Sequence, residues 1–214
     1  MSQQMLSAQD AKTTPAETKA APAAAAATTS APLNVEMKTI TGKDVNLAKK
    51  YEGKVVMLVN VATKCGNTPQ YAQLQALHKK YAEQGLAIVG VPCNQFREQE
   101  RGTDAEILAF CTETYGVEFD MMSKVDVNGE NAVPLYKYLT SKESNPKFGG
   151  DITWNFEKFL FSRDGQVAAR FAPRTKPDAA DVVKAIEAEL AKKATAKPSE
   201  MKTQPVSAPG APSN

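Results

Sequence analysis

The fold of this chain is decided by residues 55–69, which read VVMLVNVATKCGNTP from Val55 to Pro69. The first half is a continuous β-branched and apolar run apart from Asn60, which is typical of a strand covered on both faces. Thr68 and Pro69 then predict a helix start, with Thr68 as N-cap and the proline at the first helical position. A buried strand leading through a short loop into a helix indicates an α/β sheet with its loops at the carboxyl edge.

The segments on either side extend this pattern into a full domain. Upstream, residues 35–40 and 45–47 flank a Thr41-Gly42-Lys43 turn and predict a small N-terminal hairpin. Downstream, three helices are predicted from their apolar faces: one that ends at Gly85, one opened by a Thr103–Glu106 capping box, and a last one from Pro177. Their inner residues are Tyr71, Leu74, Leu77 and Tyr81 in the first, Ile107, Leu108, Phe110 and Cys111 in the second, and Val182, Val183, Ile186 and Leu190 in the third. Strands are predicted at 86–91, 123–127, 159–162 and 167–171, and a short helix at 134–141. This order predicts a central mixed sheet with helices on both faces.

The two ends differ in composition from the rest of the chain. Every aromatic residue lies between Tyr51 and Phe171. Residues 1–33 are rich in Ala, Thr and Pro, and residues 191–214 are rich in Lys and Pro. Such segments bury too little apolar surface to offset their ordering entropy. We therefore expect one domain at 34–190 between two disordered tails.

Charge and hydropathy exclude several classes of protein. The net charge is +2, and the lysines of residues 191–214 account for the excess, so the domain itself is close to neutral. A near-neutral domain has no electrostatic footprint for nucleic acid. Nowhere do about 18 apolar residues follow one another, as a membrane-spanning helix requires. We expect a soluble, cytoplasmic protein, with the periplasm as the alternative compartment.

The cysteines indicate thiol chemistry. Cys65, Cys93 and Cys111 are odd in number and widely spaced, which fits neither a disulfide framework nor a zinc site. Cys65 lies between the buried strand and the helix start, where free helix N–H groups and the neighbouring Lys64 favour a thiolate over a thiol. The alternative is an inert, partly buried cysteine.

A thiolate at Cys65 would need neutral hydrogen-bond donors. His78, the only histidine, lies well along the helix among lysines and is interpreted as a solvated side chain. Amide or indole donors remain, and the sequence offers Gln99 after the second strand and Trp154-Asn155 before the hairpin. For Trp154 the alternative is ordinary core packing.

Four segments, in order, resemble the glutathione peroxidase family. They are Asn60-Val61-Ala62-Thr63-Lys64-Cys65-Gly66, Val91-Pro92-Cys93-Asn94-Gln95-Phe96, Asp126-Val127-Asn128-Gly129 and Trp154-Asn155-Phe156. The resemblance implies a thioredoxin-like fold and the reduction of hydroperoxides with no metal, flavin or haem. It also implies that Cys65 is the peroxidatic residue and that Gln99, Trp154 and Asn155 are the donors around it.

Cys111 lies in Phe110-Cys111-Thr112-Glu113-Thr114-Tyr115-Gly116, which is similar to the resolving-cysteine segment of the non-selenium members. Those members resemble thioredoxin-dependent more than glutathione-dependent peroxidases. The alternative is a cysteine buried on the apolar stripe of its helix. Cys93 ends a buried strand and is interpreted as structural. The short stretch from Glu130 to Asp151 has no insertion that would build a subunit interface, so a monomer is expected.

The loop of residues 96–102 departs from the family pattern. It reads Phe-Arg-Glu-Gln-Glu-Arg-Gly, where the family has Phe-Gly-Gly-Gln-Glu-Pro-Gly. The backbone of this loop and the position of Gln99 are therefore left open, and its arginines either favour an anionic substrate or form a solvated rim. Asp120 and Asn67 also stand where the family tends to have proline and an aromatic residue.

The leading hypothesis is a thiol peroxidase that reduces hydrogen peroxide and organic hydroperoxides. Cys65 would pass through a sulfenic acid, and thioredoxin or glutathione would regenerate the thiol. Two alternatives are a redox relay that passes its oxidation to a partner and a non-catalytic thioredoxin-fold binding module. The site residues count against the binding module, and steady turnover with a reductant would exclude the relay.

Overall fold

The computed structural model describes residues 32–193, which form one α/β domain around a five-stranded sheet. The strands are β1 (Glu36–Lys38), β2 (Asp44–Asn46), β3 (Val55–Val61), β4 (Leu86–Pro92), β5 (Asp120–Met121), β6 (Lys158–Phe161) and β7 (Val167–Phe171). The helices are α1 (Leu47–Lys50), α2 (Gln70–Tyr81), α3 (Asp104–Tyr115), α4 (Pro134–Thr140) and α5 (Ala180–Ala191). The predicted central mixed sheet and the N-terminal hairpin of β1 and β2 are both confirmed.

The sheet brings three loops to one edge. Its order is β5-β4-β3-β6-β7, with β3, β4 and β5 parallel and with β6 and β7 antiparallel to their neighbours. The ends of β3 and β4 are level, since Val61 pairs with Pro92, and β6 starts beside them, since Lys158 pairs with Val59. The loops that follow β3 and β4 and the loop that precedes β6 therefore meet at the carboxyl edge, where open α/β sheets bind ligands.

Alternate residues of the central strands enter two separate cores. Val55, Met57, Val59 and Val61 pack with α2, α3 and α5 on one face, whereas Val56 and Leu58 pack with α1, α4 and the hairpin on the other. All of β3, including Asn60, is buried because both faces are covered, as its largely apolar run predicts. The helices of the first face contribute Tyr71, Leu74, Leu77 and Tyr81 from α2, Ile107 and Cys111 from α3, and Val182 and Ile186 from α5.

The prediction of a strand at residues 123–127 is wrong. The third parallel strand is β5, which is only two residues long and lies earlier in the chain. Beyond it the backbone bonds with other partners: Ser123 N–H donates to the Lys38 carbonyl, and Val127 N–H donates to Oε1 of Gln95. A hairpin carbonyl and a side-chain oxygen thus accept from the backbone N–H groups that would otherwise bond to a neighbouring strand.

Two helix starts also differ from the prediction. Helix α2 begins at Gln70 rather than Pro69, and Thr68 does not cap it with its side chain, because its hydroxyl accepts from Cys65 N–H and donates to the Ala62 carbonyl. Helix α1 was not predicted. It starts at Leu47, which was assigned to a strand, and Asn46 caps it by accepting from Lys49 N–H.

The domain ends differ slightly from the predicted boundaries. Leu33, assigned to the first tail, is buried in the core, and α5 begins at Ala180 rather than near Pro177. Residues 1–31 and 194–214 of the predicted tails lie outside the described residues. Within residues 32–193, no helix is long and apolar enough to cross a bilayer.

Candidate active site

Cys65 lies in the tight loop between β3 and α2. Thr68 fixes this loop at both ends, because its hydroxyl accepts from Cys65 N–H at 2.9 Å and donates to the Ala62 carbonyl at 2.9 Å. The Cys65 side chain is nearly buried, and its Sγ accepts a hydrogen bond from Asn67 N–H at 3.4 Å. The sulfur thus has one backbone donor among the described residues. Lys64, by contrast, is exposed and lines a different, smaller cavity.

The loop that carries Gln99 keeps a glycine-like backbone at two positions that hold other residues. Arg97 and Glu98 both have positive φ, of 54° and 51°, in the left-handed region that side chains disfavour. The Gln99 carbonyl accepts from Lys64 N–H at 3.1 Å, so this loop lies against the Cys65 loop. Arg97 and Glu98 thus adopt the left-handed conformation despite their side chains, and Gln99 lies beside the Cys65 loop.

Asn155 comes from the loop before β6 and connects the other two loops. It is fully buried; its Nδ2 donates to Oε1 of Gln99 at 3.0 Å, and its carbonyl accepts from Nδ2 of Asn67 at 3.3 Å. The next residue, Phe156, has a positive φ of 68° and donates its N–H to the Asn60 carbonyl. This strained, buried residue sets the direction of Asn155.

A cavity of about 590 Å³ opens onto Cys65. Its walls come from the three loops and from the segment after β7, and its lining residues are Cys65, Gly66, Asn67, Arg97, Thr153, Trp154, Ala172, Pro173 and Arg174. Trp154 is half-buried and forms one wall, with the Arg97 guanidinium 5.5 Å from its ring and the Phe96 ring 5.8 Å away. Trp154 therefore both packs against the core and faces the cavity, so the two alternatives for this residue are compatible.

The structure brings the four predicted site residues together without directing every donor at sulfur. Cys65 and Trp154 share the cavity, while the side-chain amides of Gln99 and Asn155 bond to each other and are not among its lining residues. Within the described residues, the donor bonded to Sγ is Asn67 N–H. In the buried Asn155 side chain, Oδ1 has no partner among those residues.

Comparison with known proteins identifies the chain. Residues 33–140 match the family model described as glutathione peroxidase. The chain belongs to the glutathione peroxidase family. It is 48% identical to the glutathione peroxidase homolog BsaA of Bacillus subtilis, covering 72% of this chain and 97% of that protein. It is 44% identical to the thioredoxin/glutathione peroxidase BtuE of Escherichia coli, covering 75% and 97%.

A solved structure agrees with this assignment. The crystal structure of apo Trgpx superimposes with a TM-score of 0.60 at 33% identity, over 78% of this chain and 99% of that one. The predicted thioredoxin-like fold is therefore confirmed. As a member of the glutathione peroxidase family, the protein reduces hydroperoxides by thiol chemistry, with thioredoxin or glutathione as the reductant.

In this glutathione peroxidase homologue, Cys111 lies inside α3 and is completely buried. Burial raises the pKa of its thiol to about 11. The hydroxyl of Tyr71 lies beside the thiol, and within the described residues no group accepts or donates a normal hydrogen bond to that hydroxyl. Cys65 and Cys111 belong to the same core cluster, and both thiols are free.

Cys93 is separated from these two cysteines by the sheet. It packs in the core on the opposite face, with Gln95 N–H donating to its sulfur at 3.5 Å, and burial raises its pKa to about 11. His78 is half-buried rather than solvated: its ring meets Phe119 edge-on, and its Nδ1 is buried without a partner among residues 32–193. In that part of the chain no three His, Cys, Asp or Glu side chains are grouped as a metal site.

Three supporting residues were missed from sequence. The buried Glu100 accepts the Thr63 hydroxyl at 2.6 Å and so joins the Gln99 loop to the Cys65 loop. The buried Lys158 donates to the carbonyls of Pro173 and Thr175, behind the cavity wall. Arg174 lines the cavity itself. Lys158 carried a usable signal, a lysine inside an apolar strand; Glu100 and Arg174 carried none, because charged loop residues are usually solvated.

Proposed function

We propose that this protein is a thioredoxin-dependent peroxidase in which Cys65 attacks the hydroperoxide and Cys111 resolves the product. One observation carries the proposal. Cys65 lines the cavity and its sulfur accepts an N–H donor, whereas the side chains of Cys93 and Cys111 are fully buried. A hydroperoxide in the cavity therefore meets one thiol among the described residues.

In the first step the Cys65 thiolate attacks the terminal oxygen of the hydroperoxide. An S–O bond forms as the O–O bond breaks; cysteine is oxidised to a sulfenic acid, and the peroxide leaves as an alcohol or, from hydrogen peroxide, as water after taking a proton. Asn67 N–H stabilises the thiolate. Trp154 and the Gln99–Asn155 amide pair supply the nearby donors for charge on the departing oxygen.

In the second step the Cys111 sulfur attacks the sulfenic acid of Cys65, and water leaves as the disulfide forms. A dithiol such as thioredoxin then reduces this disulfide by exchange, which returns both thiols. The free thiols correspond to the reduced enzyme. We further propose that the enzyme acts as a monomer in the cytoplasm; sedimentation and fractionation of the source cells test these two statements.

The experiment compares three Cys→Ser variants with thioredoxin, and separately with glutathione, as the only reductant. Cys65→Ser should lose at least about 99% of peroxide consumption, since a hydroxyl forms no anion at neutral pH. Cys111→Ser should lose turnover with thioredoxin but keep one rapid oxidation of Cys65. Cys93→Ser is the matched control and should keep wild-type turnover.

Three results would contradict the proposal. Activity of Cys65→Ser above about a tenth of wild type would show that Cys65 is not the nucleophile. Equal rates of peroxide consumption with glutathione and with thioredoxin in the wild type would show that Cys111 does not resolve the sulfenic acid. A single oxidation without turnover, under either reductant, would favour the redox relay instead.

A further inference from the structure

We propose that Lys158 is a positioning residue for the Cys65 site, because its buried ammonium joins the start of α2, which follows the Cys65 loop, to the cavity wall formed by residues 172–174. The inference rests on the proposed function, since it concerns the oxidation of Cys65. It goes further by giving a role in that step to a residue outside the cavity lining.

Lys158 lies at the start of β6, opposite Val59 of β3. Its side chain is completely buried. Nζ lies 2.5–3.3 Å from three oxygens, which belong to the side chain of Gln70 and to the carbonyls of Pro173 and Thr175. One charged group therefore bonds two segments that are far apart in the chain.

Both segments form part of the Cys65 site. Gln70 is the first residue of α2, and its N–H donates to the carbonyl of Asn67 at 2.9 Å. Asn67 in turn gives the Cys65 sulfur its backbone donor and lines the cavity. Pro173 lines the cavity as well, and the Gln70 side chain donates to its carbonyl at 2.8 Å. Lys158 and Gln70 together thus set the separation between the residue that bonds the sulfur and the wall at Pro173.

The number of donors on Lys158 matches the number of acceptors around it. An ammonium group has three N–H donors, whereas a neutral amine has two donors and a lone pair. Loss of the proton therefore leaves one of the three oxygens without its bond from Lys158. The longest of the three bonds goes to Pro173, in the cavity wall. We expect the neutral form to hold this wall less firmly.

The two forms of Lys158 exchange close to neutral pH. Burial lowers the pKa of its ammonium to about 7, and Glu157, the preceding residue, opposes this shift. Glu157 is paired with Arg170, so its charge is already partly balanced. The change in hydrogen bonding therefore falls within the pH range of an ordinary peroxidase assay.

The surroundings of Lys158 on this face of the sheet are mostly uncharged. Helix α2 presents the uncharged Gln70, and β3 presents the apolar Val59. The charged residues of α5 are exposed apart from Glu189, which is paired with Lys192. The segment after β7 carries three charged residues, all exposed: Arg174, Lys176 and Asp178. The core that α2, α3 and α5 cover contains the titratable side chains Cys65, Tyr71, Tyr81 and Cys111. Burial and Glu157 remain the two influences on the charge of Lys158.

The experiment measures the rate constant for oxidation of Cys65 by hydrogen peroxide in wild type and in Lys158→Gln, from about pH 5.5 to about pH 9. The full chain is mixed with peroxide without a reductant, and the fluorescence of Trp154, the single tryptophan, follows the reaction by stopped flow. Glutamine has two N–H donors, like the neutral amine, and does not titrate. The ratio of the two rate constants removes the titration of Cys65, which both proteins share.

The wild type should oxidise about tenfold faster than Lys158→Gln near pH 6 and at most about twofold faster near pH 8.5, since misplacing a reacting group by about 1 Å can cost about a hundredfold in rate. The midpoint of this fall should lie near the pKa of Lys158, about 7. A loss of stability would not give this fall, because release of the proton from Lys158 raises the free energy of unfolding.

Arg163→Met is the control for general destabilisation, because Arg163 bonds backbone carbonyls at the other edge of the sheet. It should oxidise as fast as wild type at every pH. A ratio of wild type to Lys158→Gln that stays constant with pH, or an equal loss of rate in Arg163→Met, would overturn the role given to Lys158.

A second measurement separates positioning from a direct effect of the lysine charge on sulfur. Lys158→Gln should leave the pH profile of Cys65 alkylation by iodoacetamide unchanged, because Nζ bonds to Gln70 and to backbone carbonyls rather than to Sγ. A profile displaced toward higher pH in the variant would overturn the positioning role, since the lysine would then stabilise the thiolate itself.

NMR of the wild type keeps the proposal testable if Lys158→Gln does not fold. The backbone amide signals of Arg174 and Thr175 should shift together with a midpoint near pH 7, as Lys158 loses its proton. Signals that stay constant across this range would contradict the proposed change in the wall.

Failure of the proposed function gives a different result. If peroxide does not oxidise Cys65 of the wild type at any pH, the protein is not a peroxidase of this kind, whereas the NMR titration still tests the contacts of Lys158. If wild type and Lys158→Gln are oxidised at the same rate throughout, the protein is a peroxidase that does not depend on Lys158.

Discussion

At the scale of single residues, Lys158 shows how the fold tolerates a charge in its core. The side chain is completely buried in β6, and its ammonium donates to Oε1 of Gln70 at 2.5 Å and to the carbonyls of Pro173 and Thr175 at 3.3 and 2.6 Å. These three acceptors join the first residue of α2 to the segment after β7 that forms part of the cavity wall. Burial lowers the pKa of Lys158 to about 7, and Glu157 opposes this shift.

This pKa predicts how stability changes with pH. The unfolded lysine keeps its proton up to about pH 10, whereas the folded one releases it above about pH 7. Between these values the unfolded state binds more protons, so the free energy of unfolding should rise with pH, by at most about 1.4 kcal/mol per unit. Below about pH 7 both states are protonated, and the contribution becomes constant.

The measurement is urea unfolding of wild type and Lys158→Gln across this range. Glutamine keeps a donor for the three acceptors but does not titrate, so wild type should gain stability relative to the variant as pH rises from about 7 to about 10. Curves that stay parallel would show that Lys158 has an ordinary pKa in the folded protein.

At the scale of elements, the loop after β4 is held in a costly conformation. Glu98, with a φ of 51°, does not line the cavity, and its exposed ion pair with Arg101 contributes little. Glu98→Gly should therefore raise the free energy of unfolding by about 0.5–1 kcal/mol, because relief of the left-handed strain exceeds the added entropy of the unfolded chain.

Glu98→Ala is the control for this prediction, since it removes the same ion pair and keeps the strain. It should be no more stable than wild type in thermal unfolding. Equal stability of the alanine and glycine variants would mean that the backbone at this position is not strained.

Helix α3 presents a second problem at this scale, because it buries the cysteine that we assign to resolution. The helix starts at a complete capping box of Thr103 and Glu106 and ends at Gly116, with Cys111 facing the core. A disulfide requires Cα atoms within about 7 Å and suitable Cβ directions. We expect α3 to unwind locally before its cysteine reaches Cys65; Thr112 and Thr114 are weak helix formers.

Hydrogen exchange tests this movement. Peroxide treatment should yield a Cys65–Cys111 disulfide by mass spectrometry and faster exchange across residues 103–116. Cys111→Ser, treated in the same way, should keep slow exchange there. A disulfide to Cys93, or unchanged exchange in α3 of the oxidised wild type, would show that the wrong cysteine has been assigned.

At the scale of the whole molecule, Arg163 joins the edge of the sheet that lies opposite the candidate site. Its guanidinium donates to the carbonyls of Gly53, Gln84, Leu190 and Lys192, which belong to the turn before β3, the turn after α2 and the end of α5. Gly85 makes room for it: it has a φ of 102°, and a Cβ there would lie 2.8 Å from Nη1.

Arg163→Met should lower the free energy of unfolding by about 2–3 kcal/mol, because several charge-assisted bonds to backbone carbonyls are lost together. Peroxidase kcat should not change, since the cavity is at the other edge. Chemical unfolding and a peroxide assay on the same preparations measure both. Arg101→Met, which breaks one exposed ion pair, should lose less than about 1 kcal/mol; an equal loss in the two variants would contradict the role given to Arg163.

The sequence by itself determined the layered α/β architecture and placed Cys65 in the loop between a buried strand and a helix. Residues 55–61 are apolar except for Asn60 and rich in β-branched side chains, which is typical of a strand covered on both faces. The capping box at Thr103 likewise fixed where α3 begins, with Glu106 bonding back to it. These features depend on neighbours within a few residues of one another. Local chemistry therefore sufficed for the two central parallel strands and for the start of α3, whereas the roles of Cys65, Gln99, Trp154 and Asn155 stay predictions.

Only the tertiary structure decided contacts made between distant segments. Oε1 of Gln95 accepts from Val127 N–H, so residues 123–127 do not form the predicted strand. The Thr68 hydroxyl bonds within the Cys65 loop instead of capping α2. The bond between Asn155 and Gln99 and the meeting of Arg97 and Arg174 at one cavity likewise join residues far apart in the chain. A hydrogen-bond partner or a cavity wall of this kind depends on where loops meet in space, which no local pattern of residues records.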